Sequence, residues 1–167
     1  MKKILFPFMI AILLSVSGCG RSSEDTAAST DAISSEDMVD LSYVDDDGNL
    51  VIPLEAIGET AVFAGYVYED TVMEIFAVLD DDGELHYALN TCQVCSGSPN
   101  AYYEQDGSTF ICQNCGNVFQ TSKIGVKRGG CNPVPMDNAV VTEDSLIVTE
   151  EALSEYADYF RNWKGLN

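Results

Sequence analysis

Short, mostly apolar runs separated by acidic turns dominate the chain after residue 40. Three of them, at residues 61–68, 72–79 and 84–89, are rich in the aromatic and β-branched residues that favour strands. The last two are joined by an Asp-Asp-Asp-Gly turn, which is typical of a hairpin. We therefore expect a mainly β fold with an antiparallel meander at its centre.

The third run predicts where the only histidine points. Side chains alternate along a strand, so Leu85, Tyr87 and Leu89 share one face while His86 lies on the other with Glu84 and Ala88. We expect the apolar set to be buried and His86 to face solvent. Because His86 precedes Cys92 by six residues, it is also an alternative metal ligand.

The end of the chain changes from strand to helix periodicity. Residues 145–148 form a last apolar run, and Thr149 has the character of an N-cap, with acidic residues following it. The pattern predicts a helix over residues 150–163 with one apolar face packed on the sheet. That face consists of Leu153, Tyr156, Ala157, Phe160 and Trp163.

The beginning of the chain has the pattern of an export signal. Two lysines precede an apolar run at residues 4–14, and the small residues that follow end at Cys19. This ending resembles a bacterial lipobox, which predicts a lipoprotein signal peptide at residues 1–18 and lipidation of Cys19. The protein would then be extracytoplasmic and anchored to the membrane by lipid, since the run is too short to span it.

The remaining chain divides into a tether and a domain. Residues 19–40 are small, polar and acidic, so we expect a flexible tether, and residues 41–167 form the folded domain. The formal charge of the full chain is −19. Such acidity repels phosphate backbones and therefore argues against a nucleic-acid partner.

The cysteines carry the strongest chemical signal. Cys92, Cys95, Cys112 and Cys115 form two Cys-x-x-Cys pairs that are 16 residues apart, a spacing typical of tetrathiolate metal sites. Two intervening residues let one turn direct both sulfurs at one ion. The spacing serves an iron–sulfur cluster, a mononuclear iron or a structural zinc equally well.

Other residues near the pairs complete the candidate site. Cys131 follows Gly129-Gly130 in an irregular segment, so it is a near-site residue or an alternative ligand. Three cations follow the second pair although the chain is acidic, and they would tune the centre electrostatically or dock a partner. They are Lys123, Lys127 and Arg128.

The second pair resembles a cluster loop of Rieske iron–sulfur domains. Cys112-x-x-Cys115-Gly116, followed by Phe119 and later by Gly129-Gly130, is similar to the Rieske Cys-x-x-His-Gly-x-x-Phe loop. Cys115 stands where the Rieske histidine would be. A true Rieske centre is therefore excluded, because one histidine cannot supply two ligands.

A broader resemblance covers about 100 residues. The strings Leu-Asn-Thr-Cys-Gln-Val-Cys, Cys-Gln-Asn-Cys-Gly-Asn-Val-Phe and Gly-Gly-Cys-Asn-Pro-Val-Pro look like the membrane iron-sulfur containing FtrD-like family. The resemblance implies a Rieske-like antiparallel β-domain with two metal-binding loops. It also implies an iron–sulfur centre, with [2Fe-2S] favoured, that passes electrons beside an iron permease or a cupredoxin-type partner.

The sequence contains neither a catalytic triad nor a phosphate-binding glycine loop. We therefore expect an electron carrier rather than an enzyme. The alternative is a structural zinc-binding module of a surface lipoprotein, because the same four thiols suit zinc.

Overall fold

A computed structural model describes residues 39–165. The predicted signal peptide, Cys19 and the predicted tether up to residue 38 lie outside the described residues. Within them, the strands are β1 (Leu50–Pro53), β2 (Val62–Tyr68), β3 (Thr71–Leu79), β4 (Leu85–Cys92), β5 (Tyr103–Asp106), β6 (Thr109–Cys112), β7 (Val118–Gln120), β8 (Pro133–Val134), β9 (Val140–Val141) and β10 (Ser145–Val148). The α-helix is α1 (Glu150–Ser154), and 3-10 turns occur at Leu54–Ala56, Thr121–Lys123 and Ala157–Phe160.

The predicted meander forms the central sheet, whose strand order is β2-β3-β4-β8. All three pairings are antiparallel, and β3 contacts both of its neighbours along most of its length. The pairing of β4 with β8 shifts register between Leu89 and Cys92, which marks a bulge beside the first cysteine. The mainly β fold is confirmed.

Two smaller sheets accompany the central one. One has the order β1-β10-β9, so that the two ends of the domain pair with each other. The other has the order β5-β6-β7 and carries the second cysteine pair at the end of β6. Each small sheet contributes to a different buried cluster.

The central sheet is buried on both faces. Alternate residues of β3 and β4 point to opposite sides, and each set belongs to a different core. On one face, the apolar core contains Leu50, Ile75, Leu89, Leu146, Leu153 and Phe160 among its buried residues. On the other face, the thiol core contains Phe76, Val78, Ala88, Cys92, Ala101, Tyr103, Phe110, Cys112 and Ile124. The two cores therefore lie back to back across one sheet.

This arrangement corrects the prediction for His86. The alternation along β4 is as expected, but His86 is buried on the side of the thiol core instead of facing solvent. Its face is covered by the segment after β7, which brings the Ile124 carbonyl within 3.1 Å of His86 Nδ1. Strand periodicity alone did not reveal that a second layer covers this face.

The predicted helix at residues 150–163 is wrong in length. The α-helix ends at Ser154, and a separate 3-10 turn spans Ala157–Phe160. Phe160 at the end of that turn and Trp163 after it are both buried. The packing prediction is confirmed, since the whole apolar stripe lies in or against the apolar core.

Candidate metal centre

Each Cys-x-x-Cys pair begins where a strand ends. Cys92 is the last residue of β4, and the Cys95 N–H lies 3.3 Å from the Cys92 sulfur. Cys112 is the last residue of β6, and its carbonyl accepts a hydrogen bond of 2.8 Å from the Gly116 N–H. Gly116 has φ 71°, a conformation that glycine adopts without strain. Both turns thus contribute their two thiols to one cluster of cysteines.

The described structure brings five thiols together, not four. The sulfurs of Cys92, Cys95 and Cys112 lie within 4.8 Å of one another, and so do those of Cys95, Cys115 and Cys131. Cys95 belongs to both groups. We call the first group the inner triad and the second the outer triad. Cys131 therefore belongs to the same thiol cluster as the four predicted ligands.

The two triads differ in burial. Cys92 and Cys112 are fully buried in the thiol core, while Cys95 and Cys131 are half-buried and Cys115 is exposed. One end of the cluster is consequently dry and the other meets solvent. This difference in burial suits a metal centre that another molecule approaches from the solvent side, while its inner ligands stay shielded from water.

Three loops supply the thiols and are tied to one another. We call residues 92–98 the first loop, 112–117 the second and 124–132 the third. Ser98 Oγ donates to Asn114 Oδ1 at 2.6 Å, which joins the first loop to the second. The Tyr103 hydroxyl donates to the Cys131 carbonyl at 2.6 Å, which fixes the third loop to the thiol core.

Gln93 links the first loop to the third at several points. Its backbone N–H donates to the Asn132 carbonyl at 2.9 Å, and its Nε2 donates to the Pro133 carbonyl at 3.0 Å. Its Oε1 accepts from the Gly129 N–H at 2.9 Å. Sequence reasoning gave no role to Gln93 or Tyr103, because their partners are distant along the chain. The only signal for Gln93 was its position inside the motif.

The surroundings shift the pKa values of the two buried thiols in opposite directions. Burial raises the pKa of Cys92, but the Tyr103 hydroxyl and the backbone N–H groups of Val94 and Cys95 outweigh it, so the net shift is downward. Burial raises the pKa of Cys112 to about 12. One buried thiol therefore loses its proton more readily than the other, and both must be deprotonated to bind a cation.

The outer thiols show the same division. A backbone hydrogen bond from Asn117 lowers the pKa of exposed Cys115, whereas burial raises the pKa of Cys95. The hydrogen bond with Cys115 raises the pKa of Cys131 to about 12. The pattern is that of thiols sharing protons and negative charge at short range, a condition that a soft cation relieves.

The structure places His86 away from this cluster. Its Nε2 lies 3.0 Å from Asp80 Oδ2, and its Nδ1 faces the Ile124 carbonyl. His86 lies six residues before Cys92 along β4, which corresponds to roughly 20 Å of extended backbone. His86 thus anchors the third loop to β4 through Ile124.

Asp80 and Glu84 stand with His86 in a group whose ligand atoms lie within 4.8 Å of one another. The Glu84 N–H keeps the pKa of Asp80 below its usual value against the opposing effect of burial, and His86 contributes in the same direction. Asp80 Oδ1 also accepts hydrogen bonds from Asp82 and Glu84 N–H groups. These contacts account for the group as a turn closure between β3 and β4.

The three predicted cations lie on the surface, Lys123 just before the third loop and Lys127 and Arg128 within it. Lys123, Lys127 and Arg128 are all exposed. Arg128 forms an ion pair with Asp137. The backbone carbonyl of Lys123 accepts from the N–H groups of Val126 and Lys127, which closes the turn before the glycines. Their effect on the centre stays a prediction.

A buried carboxyl is hydrogen-bonded to β4 two residues before Cys92. Glu74 in β3 is 7% exposed and accepts a hydrogen bond from Asn90 Nδ2. Asn90 Oδ1 accepts from the Tyr103 N–H at 2.7 Å, and the Asn90 carbonyl accepts from Trp163 Nε1 at 2.8 Å. Burial raises the pKa of Glu74 to about 7, despite the Asn90 bond. Sequence reasoning missed this network, because nothing local to Glu74 marks it as buried.

The chain matches the family described as "Membrane iron-sulfur containing protein FtrD-like" over residues 57–160. This span contains all five thiols of the cluster, and the chain belongs to that family. The predicted family is confirmed, and with it an iron-related metal protein whose cysteine cluster is compatible with a metal centre. Neither a curated protein nor a solved structure matched the chain.

The family name describes membrane proteins. Across residues 39–165, the structure contains no helix that is both long and apolar enough to cross a membrane.

Proposed function

We propose that the protein is a membrane-anchored, extracytoplasmic iron–sulfur electron-transfer protein that serves iron uptake or metal redox handling. The observation that carries this proposal is the convergence of five thiols from three loops, buried at one end and exposed at the other. Thiolate donors are those that iron–sulfur clusters and soft metal ions prefer. Cys92, Cys95, Cys112 and Cys115 would hold a [2Fe-2S] cluster or a single iron.

A bound iron–sulfur centre supplies reversible one-electron chemistry, and the chain provides its environment. Cys92 and Cys112 hold the inner side in an apolar setting formed by Phe110 and Ala101. Tyr103 borders Cys92 in the thiol core, and its hydroxyl donates to the Cys131 carbonyl, which keeps the third loop beside the centre. Backbone N–H groups at Cys95 and Asn117 would stabilise negative charge on Cys92 and Cys115.

The solvent end has the properties of a contact surface for a redox partner. Val94 is 65% exposed, Val118 59% and Val126 66%, and each belongs to or closely follows one of the three thiol-bearing loops. Exposed valines in and beside these loops favour transient apolar contact. Lys123 and Lys127 are exposed just before and within the third loop, and their positive charge suits an acidic partner surface. The partner proposed is an iron permease or a cupredoxin-type protein.

Metal analysis tests the centre itself. Full-length protein purified without oxygen should contain iron with inorganic sulfide and show visible charge-transfer bands that bleach reversibly on reduction. The midpoint potential should lie near the all-cysteine range, roughly −400 mV, since neutral histidine ligands are what raise Rieske potentials to about −150 mV and above. A midpoint above zero would contradict ligation by thiolates alone.

The alternative is a structural zinc site, which the cross-linking of three loops also suits. Colourless protein with one zinc, together with failed reconstitution by iron and sulfide, would establish that alternative and sink the electron-transfer proposal. Iron without sulfide would indicate a mononuclear centre.

Membrane anchoring needs its own experiment. The wild-type chain should partition into detergent and release a lipid-modified peptide beginning at Cys19, whereas Cys19→Ser should appear in the aqueous phase. The Cys131→Ser variant is the matched control, because it removes a thiol from the same chain without touching the signal. Aqueous partition of the wild-type protein would overturn the anchor.

A further inference from the structure

The cluster holds one thiol more than a four-thiolate centre uses. Both a tetrahedral ion and a [2Fe-2S] cluster are complete with four cysteine ligands. The inner triad uses Cys92, Cys95 and Cys112, and the outer triad offers Cys115 and Cys131 beside the shared Cys95. The surplus lies on the solvent side, where the ligands are half-buried or exposed.

The third loop holds Cys131 in place by contacts on both sides of the residue. The Cys131 carbonyl accepts from Tyr103, and the neighbouring Asn132 carbonyl accepts from Gln93. Immediately after it, Pro133 pairs with Cys92 in the ladder between β4 and β8. Cys131 is therefore fixed to the same two elements that carry the first cysteine pair, and its sulfur is presented to Cys95 and Cys115.

We propose that Cys131 is a metal ligand. Within the outer triad, its thiolate takes the place of Cys115 or Cys95 when either of these releases the metal. This inference rests on the proposed metal centre and adds a ligand to it. In the exchange, the incoming thiol gives its proton to solvent as it binds, and the departing thiolate takes one up, so charge and protons balance. The buried inner thiols have no such substitute in the described structure.

Thiol alkylation in the wild-type chain tests the proposal without any substitution. Full-length protein is treated with iodoacetamide before and after loading with cobalt(II) alone, and each cysteine is followed by peptide mass spectrometry. Bound cobalt should slow alkylation of Cys131 at least severalfold, together with Cys95 and Cys115. Modification of Cys131 at the same rate with and without bound cobalt would overturn the proposal.

Substitution then separates exchange from fixed ligation. Cys115→Ser and Cys131→Ser should each keep stoichiometric cobalt with altered thiolate-to-cobalt bands, whereas the double variant should lose it. Cys112→Ser is the matched control. This single substitution should abolish cobalt binding, because Cys112 is an inner ligand. Circular dichroism checks that each variant retains its strands. Loss of cobalt by Cys115→Ser as complete as in the double variant would contradict the exchange.

The same measurements distinguish this inference from the proposed function. A wild-type chain that takes up neither cobalt(II) nor iron with sulfide would overturn the metal centre, and Cys131 ligation with it. Normal uptake with an unprotected Cys131 would overturn the inference alone and leave the four-thiolate centre standing.

Discussion

The apolar core and the thiol core lie on opposite faces of the same sheet, yet different kinds of segment cover them. Strands β1 and β10, α1 and the Ala157–Phe160 turn cover the apolar face, and their buried side chains are large and hydrophobic. On the other face, β5 to β7 and three irregular loops enclose Cys92 and Cys112. Burial of apolar surface is enough by itself to stabilise the apolar core.

The thiol core contains fewer buried apolar residues than the apolar core. Loops of this kind expose polar backbone groups and gain little from burial, so cross-links must replace packing. Hydrogen bonds from Gln93, Ser98 and Tyr103 supply some of these links. The bound metal would supply the strongest one, and stability on this face should therefore depend on it.

Metal removal is expected to have the largest effect and to separate the two cores. Chelation of the loaded protein should greatly accelerate amide exchange in the first, second and third loops, because structural zinc contributes about 10–16 kcal/mol in zinc-finger peptides. Exchange in β1 and β10 should change little. Hydrogen exchange with mass spectrometry measures both. Equal loosening of the two faces would show that they are one cooperative unit.

A truncation in the apolar core should show the opposite pattern. Leu153 is fully buried there, so Leu153→Ala is expected to lower the unfolding free energy by about 2–5 kcal/mol through lost burial and a residual cavity. Metal content should remain that of the wild type. Urea unfolding and metal analysis provide the two readouts.

Leu41→Ala is the control for that truncation, since Leu41 is 41% exposed and should change stability by at most about 0.5 kcal/mol. Loss of metal in the Leu153 variant would contradict the independence of the two cores.

The same contrast explains what the sequence could predict. The meander, the β10 strand, the Thr149 cap and the two cysteine turns are local patterns, and each is present in the structure. Their signals come from residues within one turn or one strand. Local chemistry was therefore sufficient for the strands, the cap and the two cysteine turns, although the helix after Thr149 is shorter than its periodicity predicts.

The errors arose where distant segments decide the outcome. His86 is buried because a segment near Ile124 covers its face, and Glu74 is buried beside Asn90. The position of Cys131 depends on the contacts of Gln93 and Tyr103 with the third loop. Neither periodicity nor spacing encodes such contacts, because the interacting residues are far apart along the chain.

The buried carboxyl of Glu74 makes the stability of the protein depend on pH. Burial raises its pKa from 4.5 to about 7, so the folded state disfavours the ionised form, and stability falls as pH rises through this range. Wild-type protein should lose roughly 2 to 3 kcal/mol from this group between pH 5 and pH 8. Glu74→Gln should remove that loss in urea titrations at both pH values.

Glu104→Gln is the matched control, because Glu104 is an exposed glutamate on strand β5. It should retain the wild-type difference between the two pH values. If Glu74→Gln showed the same pH dependence as the wild type, the carboxyl would have to be ionised throughout, and another group would have to account for any loss.

The smallest expected effect comes from the cap of α1, at the rim of the apolar core. Thr149 Oγ1 accepts a hydrogen bond of 3.2 Å from the Ala152 N–H, and Ala152 and Leu153 are buried immediately after it. Thr149→Ala leaves that N–H without its acceptor and should lower the unfolding free energy by about 1 kcal/mol. Thr149→Ser keeps the oxygen and should be close to wild type in urea unfolding.

Because the cap touches only the apolar core, metal content and loop exchange should be unchanged in both variants. A Thr149→Ala protein with faster exchange in the second loop would show that the two faces communicate through the sheet.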